Sequence, residues 1–356
     1  MKLTSITRYV FIGVLFPLLI QFIMYYRFTP NYQPGVFSEA GFRSFYGSSV
    51  FKYRIAGTRL QLWLYRRLKS DKTRIPVKEN KIYEKRLLAL DEQADDLFYL
   101  TYYLINAFFS VLLALCLLFL FDRQHLFTLT EPDKSFAVVL VLLMVAVSQF
   151  VVTPYDTASY FFEVFSFTVF LKYFRTNNHL YLLATCLLIM SASFFRESSA
   201  LILSLMAAVY FLVHGLTPQW VRKMIMPCLS FIIVYAGLRI FAPRSAVQIS
   251  ESSKLVENFT LRPSALMGIL MAMIIFYLML NAASSKDNRR LVRIFLLFTL
   301  PYGVMVIFAG LLVEFRLWVP LVIGTAMLYK LNLEPLRNHN YLRDLSANHT
   351  TDPQPH

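Results

Sequence analysis

The sequence predicts an all-α, polytopic integral membrane protein with about ten transmembrane helices, or nine to eleven given its shorter apolar runs. Hydrophobic residues make up 57% of the chain and charged residues 16%, against about 25% charged residues in soluble proteins. Apolar runs long enough to cross a bilayer recur along the chain between polar turns. These runs lack the period-two alternation of a membrane β-barrel, so helices are expected.

The first predicted span covers residues 9–26 and follows a short basic segment containing Lys2 and Arg8. It has a long apolar core and no small-residue cleavage site after it, so we expect a retained signal anchor. Nine further spans follow. Among all ten spans, the fifth, sixth and tenth are short. They cover residues 97–121, 136–152, 158–174, 180–195, 200–216, 224–241, 265–282, 291–313 and 317–331.

The basic residues predict the orientation of these spans. With the N-terminus in the cytoplasm, the cytoplasmic segments hold fifteen Lys and Arg residues, and the opposite segments, without the long first loop, hold six. Because short cytoplasmic loops are enriched in Lys and Arg, both termini are expected inside. The expected organisation is one membrane domain, 1–331, with an extracytoplasmic insertion at 27–96, followed by a disordered cytoplasmic tail, 332–356.

The net charge of +14 does not indicate nucleic-acid binding, because the basic residues are distributed between apolar runs as topology signals. The three cysteines, Cys116, Cys186 and Cys228, lie inside apolar runs without metal-ligand spacing, and the six histidines are scattered. Neither a metal site nor a cofactor is therefore expected from these residues.

The first loop combines basic and apolar residues between positions 51 and 69, a pattern typical of an interfacial amphipathic helix, although Gly57 interrupts it. This segment either contacts lipid head groups or packs as a solvated helix on the membrane domain. Four acids, Asp91, Glu92, Asp95 and Asp96, precede the second span. They are either oxygen ligands for a divalent cation or acids favoured at a helix N-terminus.

Three tight turns on the predicted outer side carry opposite charges: Asp156 in 153–157, Arg196 and Glu197 in the next turn, and Glu314 and Arg316 before the last span. Arginine binds phosphate oxygens with a planar fork, and a partly desolvated carboxylate can act as a general base. The turns therefore predict an outward pocket for a phosphate-bearing lipid and an alcohol. The alternative is that each pair fixes a local turn, with Asp156 capping its helix.

The motifs at 52–59 (KYRIAGTR), 155–156 (YD), 195–199 (FRESS) and, more weakly, 314–316 (EFR) resemble bacterial polytopic membrane proteins related to GT-C-fold glycosyltransferases and polysaccharide-assembly proteins. The resemblance implies a multi-pass enzyme of the bacterial cytoplasmic membrane. It would use a polyprenyl-phosphate-linked sugar on the extracytoplasmic face, in cell-envelope glycan assembly. Membrane lipids, the lipid-linked sugar and other assembly proteins would then be its partners.

Such enzymes usually carry an acidic motif soon after the first span, where this chain has only Glu39. The predicted catalytic residues are therefore Asp156, Glu39 and Glu197. The residues predicted to bind the phosphate of the lipid-linked donor are Arg54, Arg59, Tyr155, Arg196, Glu314 and Arg316.

Two other functions fit the pattern. A transporter or flippase would use helices kinked at Pro227, Pro301 and Pro320, but Glu163 is the main ionisable residue in the middle of a span. The other alternative is a non-catalytic scaffold of a membrane complex.

Overall fold

The computed structural model describes residues 3–28, 35–48, 50–71, 94–123, 126–241, 254–260, 262–283 and 285–337. Helices dominate this part of the chain, and its β-structure is one antiparallel bridge between Phe127 and Leu331. The helices are α1 (Leu3–Arg8, Tyr9–Leu15 and Phe16–Arg27, of which the middle segment is π-helical), α2 (Glu39–Ser48), α3 (Ile55–Asp71), α4 (Asp96–Phe121), α5 (Glu131–Ser148), α6 (Asp156–Thr176), α7 (His179–Phe195), α8 (Ala200–His214), α9 (Pro218–Phe241), α10 (Pro263–Ala282), α11 (Lys286–Phe298), α12 (Leu300–Ala309) and α13 (Val319–Leu328).

A helix occupies each of the ten predicted spans, and the bent pair α11–α12 occupies the ninth. By length and composition, five of the described helices can cross a membrane, or six if the bent pair counts as one span. Helices α7 and α13 are apolar but shorter. The chain is therefore a helical membrane protein, while the number of ten crossings stays a prediction.

One end of the bundle holds the N-terminus of α1, the α4–α5 loop and the segment after α13. Arg8 binds Asp122, in the α4–α5 loop, and Glu131, at the start of α5. The Asn332 amide donates to the Leu126 carbonyl at 2.8 Å. We call this the N-terminal end. The described helices alternate between it and the opposite end.

The final described turn differs from the predicted tail. Residues 332 and 333 continue the contact with the α4–α5 loop, and a short helix follows at Glu334–Arg337. Leu333 and Leu336 are buried. The domain therefore extends to Arg337 because apolar side chains after position 331 still pack on it. The rest of the predicted tail, 338–356, lies outside the described residues.

The opposite end is covered by α2 and α3 from the predicted insertion. Phe42 of α2 packs against Phe98 of α4, with ring centroids 5.3 Å apart. The Gln61 amide of α3 donates to the Phe98 carbonyl at 3.1 Å. Gly57 was expected to interrupt this helix, but α3 is continuous through it. The glycine instead lets α3 approach the α5–α6 loop closely. A Cβ atom at Gly57 would lie 2.7 Å from the Tyr155 Cβ.

Of the four acids before α4, Asp91 and Glu92 lie outside the described residues. Asp95 caps α4, since its carboxylate accepts from the Leu97 amide at 2.8 Å. It also accepts from the Tyr65 hydroxyl at 2.6 Å. Asp95 therefore has the helix-terminus role that its position allowed.

The helices of the bundle differ in length. Helices α7 and α8 have 17 and 15 residues, or about 26 and 22 Å, whereas α9 and α4 have 24 and 26 residues, or about 36 and 39 Å.

The ninth span is broken near Pro301, as proline at that position predicted. Helices α11 and α12 meet at Thr299 with a bend of 48°. Pro320 begins α13, where a missing amide hydrogen is harmless, and Pro227 lies inside α9.

A buried arginine and carboxylate cluster as the candidate functional site

Asp156 begins α6, at the end of the α5–α6 loop. The loop is held from below, where the Asn106 amide donates to the Thr153 carbonyl at 2.9 Å. The Asp156 amide in turn donates to the Thr153 hydroxyl at 3.3 Å. Only 1% of the Asp156 side chain is exposed. A helix N-terminus is a favourable place for a carboxylate.

Arg196 ends α7 in an extended conformation, with φ −160° and ψ 145°. Its amide still donates to the Ala192 carbonyl, so the chain leaves the helix without losing the last hydrogen bond. A 3₁₀ turn, Glu197–Ser199, then leads into α8. The Ser193 and Ser199 hydroxyls lie 3.0 Å apart across the turn. This geometry directs Arg196 and Glu197 to different partners.

Arg316 lies on a third turn, Phe315–Leu317, between α12 and α13. Asn258 fixes the non-helical segment before it. The Asn258 amide donates to the carbonyls of Ile307 and Gly310, at 2.9 and 2.8 Å. Its side-chain oxygen accepts from the Leu312 amide at 2.9 Å. One side chain thus replaces the helical hydrogen bonds that end at α12.

These turns bring four charged groups together. Arg196 Nη1 lies 3.0 Å from Asp156 Oδ1, and Arg316 Nη1 lies 3.7 Å from Asp156 Oδ2. Arg316 Nε donates to Glu314 Oε2 at 2.9 Å. All four side chains are largely buried, with exposures of 1% to 11%. Desolvation of such charges is offset only by close opposite charges, so the groups depend on one another.

The cluster has unused hydrogen-bonding capacity. Among the described residues, both carboxylate oxygens of Asp156, the Nη1 atom of Arg316 and the hydroxyl of Tyr155 have no hydrogen-bond partner. The ion pairs of Asp156 are close in distance without hydrogen-bond alignment. Buried polar groups are nearly always paired, and the exceptions concentrate at functional sites.

A second ion pair adjoins the first through Tyr155. Arg54, just before α3, binds Glu197 with Nε and Oε2 3.0 Å apart. The Arg54 guanidinium lies 4.5 Å from the centre of the Tyr155 ring. Arg239 of α9 reaches to within 3.9 Å of Glu197. Four arginines, at 54, 196, 239 and 316, thus face three carboxylates, and the cluster favours an anionic ligand.

Two predicted site residues have other partners. Glu39 binds Arg43 and Arg66 on the outer surface of α2 and α3, at 2.7 and 3.3 Å. The hydrogen bond from Arg43 lowers the pKa of Glu39 below its usual value. Arg59 lines a surface cavity of about 430 Å³ with three further arginines of α2 and α3.

Two tyrosines in the cluster were missed from the sequence. The Tyr160 hydroxyl donates to the Arg316 carbonyl at 3.0 Å, and Arg196 Nη1 donates to Tyr160 at 3.4 Å. The Tyr302 hydroxyl donates to the Leu317 carbonyl at 2.8 Å. Tyr160 lies four residues after Asp156 on α6, so helical spacing was an available signal. No local pattern links Tyr302 or Arg239 to the cluster.

Glu163 continues the same face of α6, seven residues after Asp156. Its side chain is buried, and its Oε1 atom has no hydrogen-bond partner among the described residues. Within those residues, no group of three or more His, Cys, Asp or Glu side chains is arranged to hold a metal ion.

Comparisons of the chain with protein families, with curated proteins and with solved structures gave no match.

Proposed function

We propose that the protein is a membrane glycosyltransferase that uses a polyprenyl-phosphate-linked sugar at the opposite end of the bundle. That end would face the outside of a bacterial cytoplasmic membrane, and the product would be a cell-envelope glycan. The supporting observation is the excess of arginine over carboxylate in a buried cluster at one end of the helix bundle. Arginine matches the geometry of phosphate oxygens, and the surrounding helices match a lipid chain.

In the reaction, an acceptor hydroxyl attacks the anomeric carbon of the donor sugar. The bond between that carbon and the phosphate oxygen breaks, and the lipid phosphate leaves with the electron pair. Arg196 and Arg316 stabilise the charge on the leaving phosphate. Asp156 holds both guanidiniums in position from one side, which leaves the other donors of each fork for the phosphate.

A carboxylate must take the proton of the acceptor hydroxyl. Of the three predicted catalytic acids, Glu197 is the best placed, because it adjoins the arginines and keeps 19% of its side chain exposed. Asp156 is nearly inaccessible and lies between two cations. Glu39 binds other partners on the surface. We therefore assign Glu197 as the base and Asp156 as a positioning residue.

Binding of the donor phosphate can be tested without knowing the sugar. The purified full chain would be titrated with undecaprenyl phosphate and analysed by native mass spectrometry. We expect Arg316→Gln and Arg196→Gln to weaken binding at least tenfold, since a charge-assisted pair with phosphate is lost. Glu257→Gln, which breaks an exposed ion pair with Lys254 at the same end, is the matched control and should bind normally.

Catalysis is tested in a strain that lacks the protein. Glu197→Gln should abolish glycan synthesis while retaining undecaprenyl phosphate binding, because only the base is removed. Full glycan synthesis by this variant would exclude Glu197 as the base. Normal phosphate binding by both arginine variants would exclude the site itself.

A flippase for an anionic lipid is the second candidate, favoured by the 48° bend between α11 and α12 and by the buried Glu163. Movement of a fluorescent lipid phosphate across proteoliposomes, without a covalent product and with loss in Arg316→Gln, would support this function over sugar transfer.

A further inference from the structure

A separate cavity of about 510 Å³ lies at the N-terminal end, far from the arginine cluster along the helices. It is bounded by the turn between α6 and α7 and by the first turns of α9. Its polar rim consists of Asn177, His179, Arg222 and Lys223. Asn177 adopts a left-handed conformation, with φ 48°, which reverses the chain and directs α7 back beside α9.

The rim carries uncompensated positive charge. Within the described residues, Arg222 and Lys223 form no ion pair with a carboxylate, and the Lys223 ammonium has only the Asn177 side-chain oxygen, at 3.4 Å, as a hydrogen-bond partner. Lys223 is held above the Tyr210 and Tyr173 rings, at 5.7 and 6.0 Å from their centres. The Lys223 ammonium is thus positioned by its neighbours while its charge is left for an anion.

The lower wall of the cavity is apolar and faces outward from the bundle. Leu182 and Leu183 of α7 and Met226 of α9 line it below the rim. Leu183 and Met226 are each 53% exposed. The lining runs from His179 to Cys186 along α7, a depth of about 10 Å. The cavity therefore has a polar rim above an apolar wall, in the same order as the head group and acyl chain of a phospholipid.

We propose that this cavity binds the phosphate head group of an anionic phospholipid from the leaflet at the N-terminal end. Arg222 and Lys223 contact the phosphate, with His179 and Asn177 at the rim, and the first part of an acyl chain lies on Leu183 and Met226. A zwitterionic lipid fits less well, because its own cation would stand beside two unpaired basic side chains. Basic pockets between membrane helices on the cytoplasmic side are suited to such head groups.

The test compares two lipids on the full chain. Purified protein would be titrated with dioleoyl phosphatidylglycerol and with dioleoyl phosphatidylcholine, and the bound lipid would be counted by native mass spectrometry. We expect retained phosphatidylglycerol in the wild type and at least a tenfold weaker affinity in Arg222→Gln/Lys223→Gln, since each basic residue near a membrane surface contributes about fivefold. Phosphatidylcholine binding should be the same in both proteins.

The matched control is Arg289→Gln/Arg290→Gln, which removes two exposed basic residues from α11 at the same end. Equal loss of phosphatidylglycerol in this control would show that only overall charge matters and would overturn the proposal. A second variant, Met226→Trp, fills the apolar wall without changing the charge and should also weaken phosphatidylglycerol binding. If it does not, or if inorganic phosphate alone binds as tightly as the lipid, the cavity is an anion site and the lipid assignment is wrong.

Discussion

Asp156 balances the charge of the cluster, because it is the one acid within 4 Å of both Arg196 and Arg316 among the described residues. Removing one partner of a buried ion pair leaves an uncompensated charge, which costs about 3–5 kcal/mol. The sequence predicted one pocket for Asp156, Arg196 and Arg316 from the charges of the three turns. It did not predict Tyr160, although that residue lies about one helical turn after Asp156.

Asp156→Asn should therefore destabilise the protein by about 3–5 kcal/mol, seen as a lower unfolding temperature in detergent. The double variant Asp156→Asn/Arg196→Gln should recover part of that loss, because one unpaired cation is removed with its partner. Strictly additive effects in this double-mutant cycle would contradict the pairing.

At the level of elements, each helix of the bundle follows from an apolar run, but the turns between them depend on single side chains. Asn258 is the clearest case, since it satisfies two carbonyls and one amide at the end of α12. Its neighbourhood in the sequence gave no indication of this role, because the partners lie about fifty residues away. The bend at Pro301 could be predicted, because proline disrupts the helix in which it lies.

Asn258→Ala should leave buried backbone groups unpaired, at about 1–3 kcal/mol for each group that water cannot reach. We expect a lower unfolding temperature and weaker undecaprenyl phosphate binding, because the turn that carries Arg316 loses its support. Asn258→Asp keeps the acceptor for the Leu312 amide but turns a carboxylate oxygen toward two carbonyl oxygens, so it should lose at least as much stability as the alanine variant. If the alanine variant unfolds and binds like the wild type, the segment is held by other contacts.

The packing of α3 on the α5–α6 loop gives a second test at this level. A Cβ atom at Gly57 would lie 2.7 Å from the Tyr155 Cβ and 2.9 Å from the Pro154 carbonyl oxygen. Gly57→Ala should displace α3 and destabilise the protein by about 1–3 kcal/mol, the range for overpacking. Gly47→Ala, in α2 with open space around its Cα, is the control and should be neutral. Equal unfolding temperatures for the two variants would argue against this close contact.

For the whole molecule, hydropathy predicted where the helices lie, because bilayer and core both select apolar side chains. The short fifth and sixth apolar runs also predicted that α7 and α8 are shorter than α4 and α9. Successive helices run in opposite directions, which agrees with the distribution of basic residues between the loops. At the N-terminal end, Arg8 links α1 to the α4–α5 loop and to α5 through ion pairs with Asp122 and Glu131. Which end faces the outside of the cell can be determined by chemical labelling.

In a variant without Cys116, Cys186 and Cys228, single cysteines at positions 47 and 286 should label differently. A membrane-impermeant maleimide added to intact cells should reach Gly47→Cys, in α2 at the opposite end, and not Lys286→Cys, at the start of α11. Both should react after permeabilisation. Labelling of both positions in intact cells would contradict the predicted orientation.

The short helix α13 has a consequence for how the protein is made. Helix α13 has 10 residues, about 15 Å, or half of the hydrocarbon thickness that an independent span must cover. It packs on α5, α6 and α11, which are synthesised before it. Its insertion during biogenesis is therefore expected to depend on the helices that precede it. Arg316 lies directly before α13, so Asp156 lacks one of its two cations until this part of the chain has been synthesised.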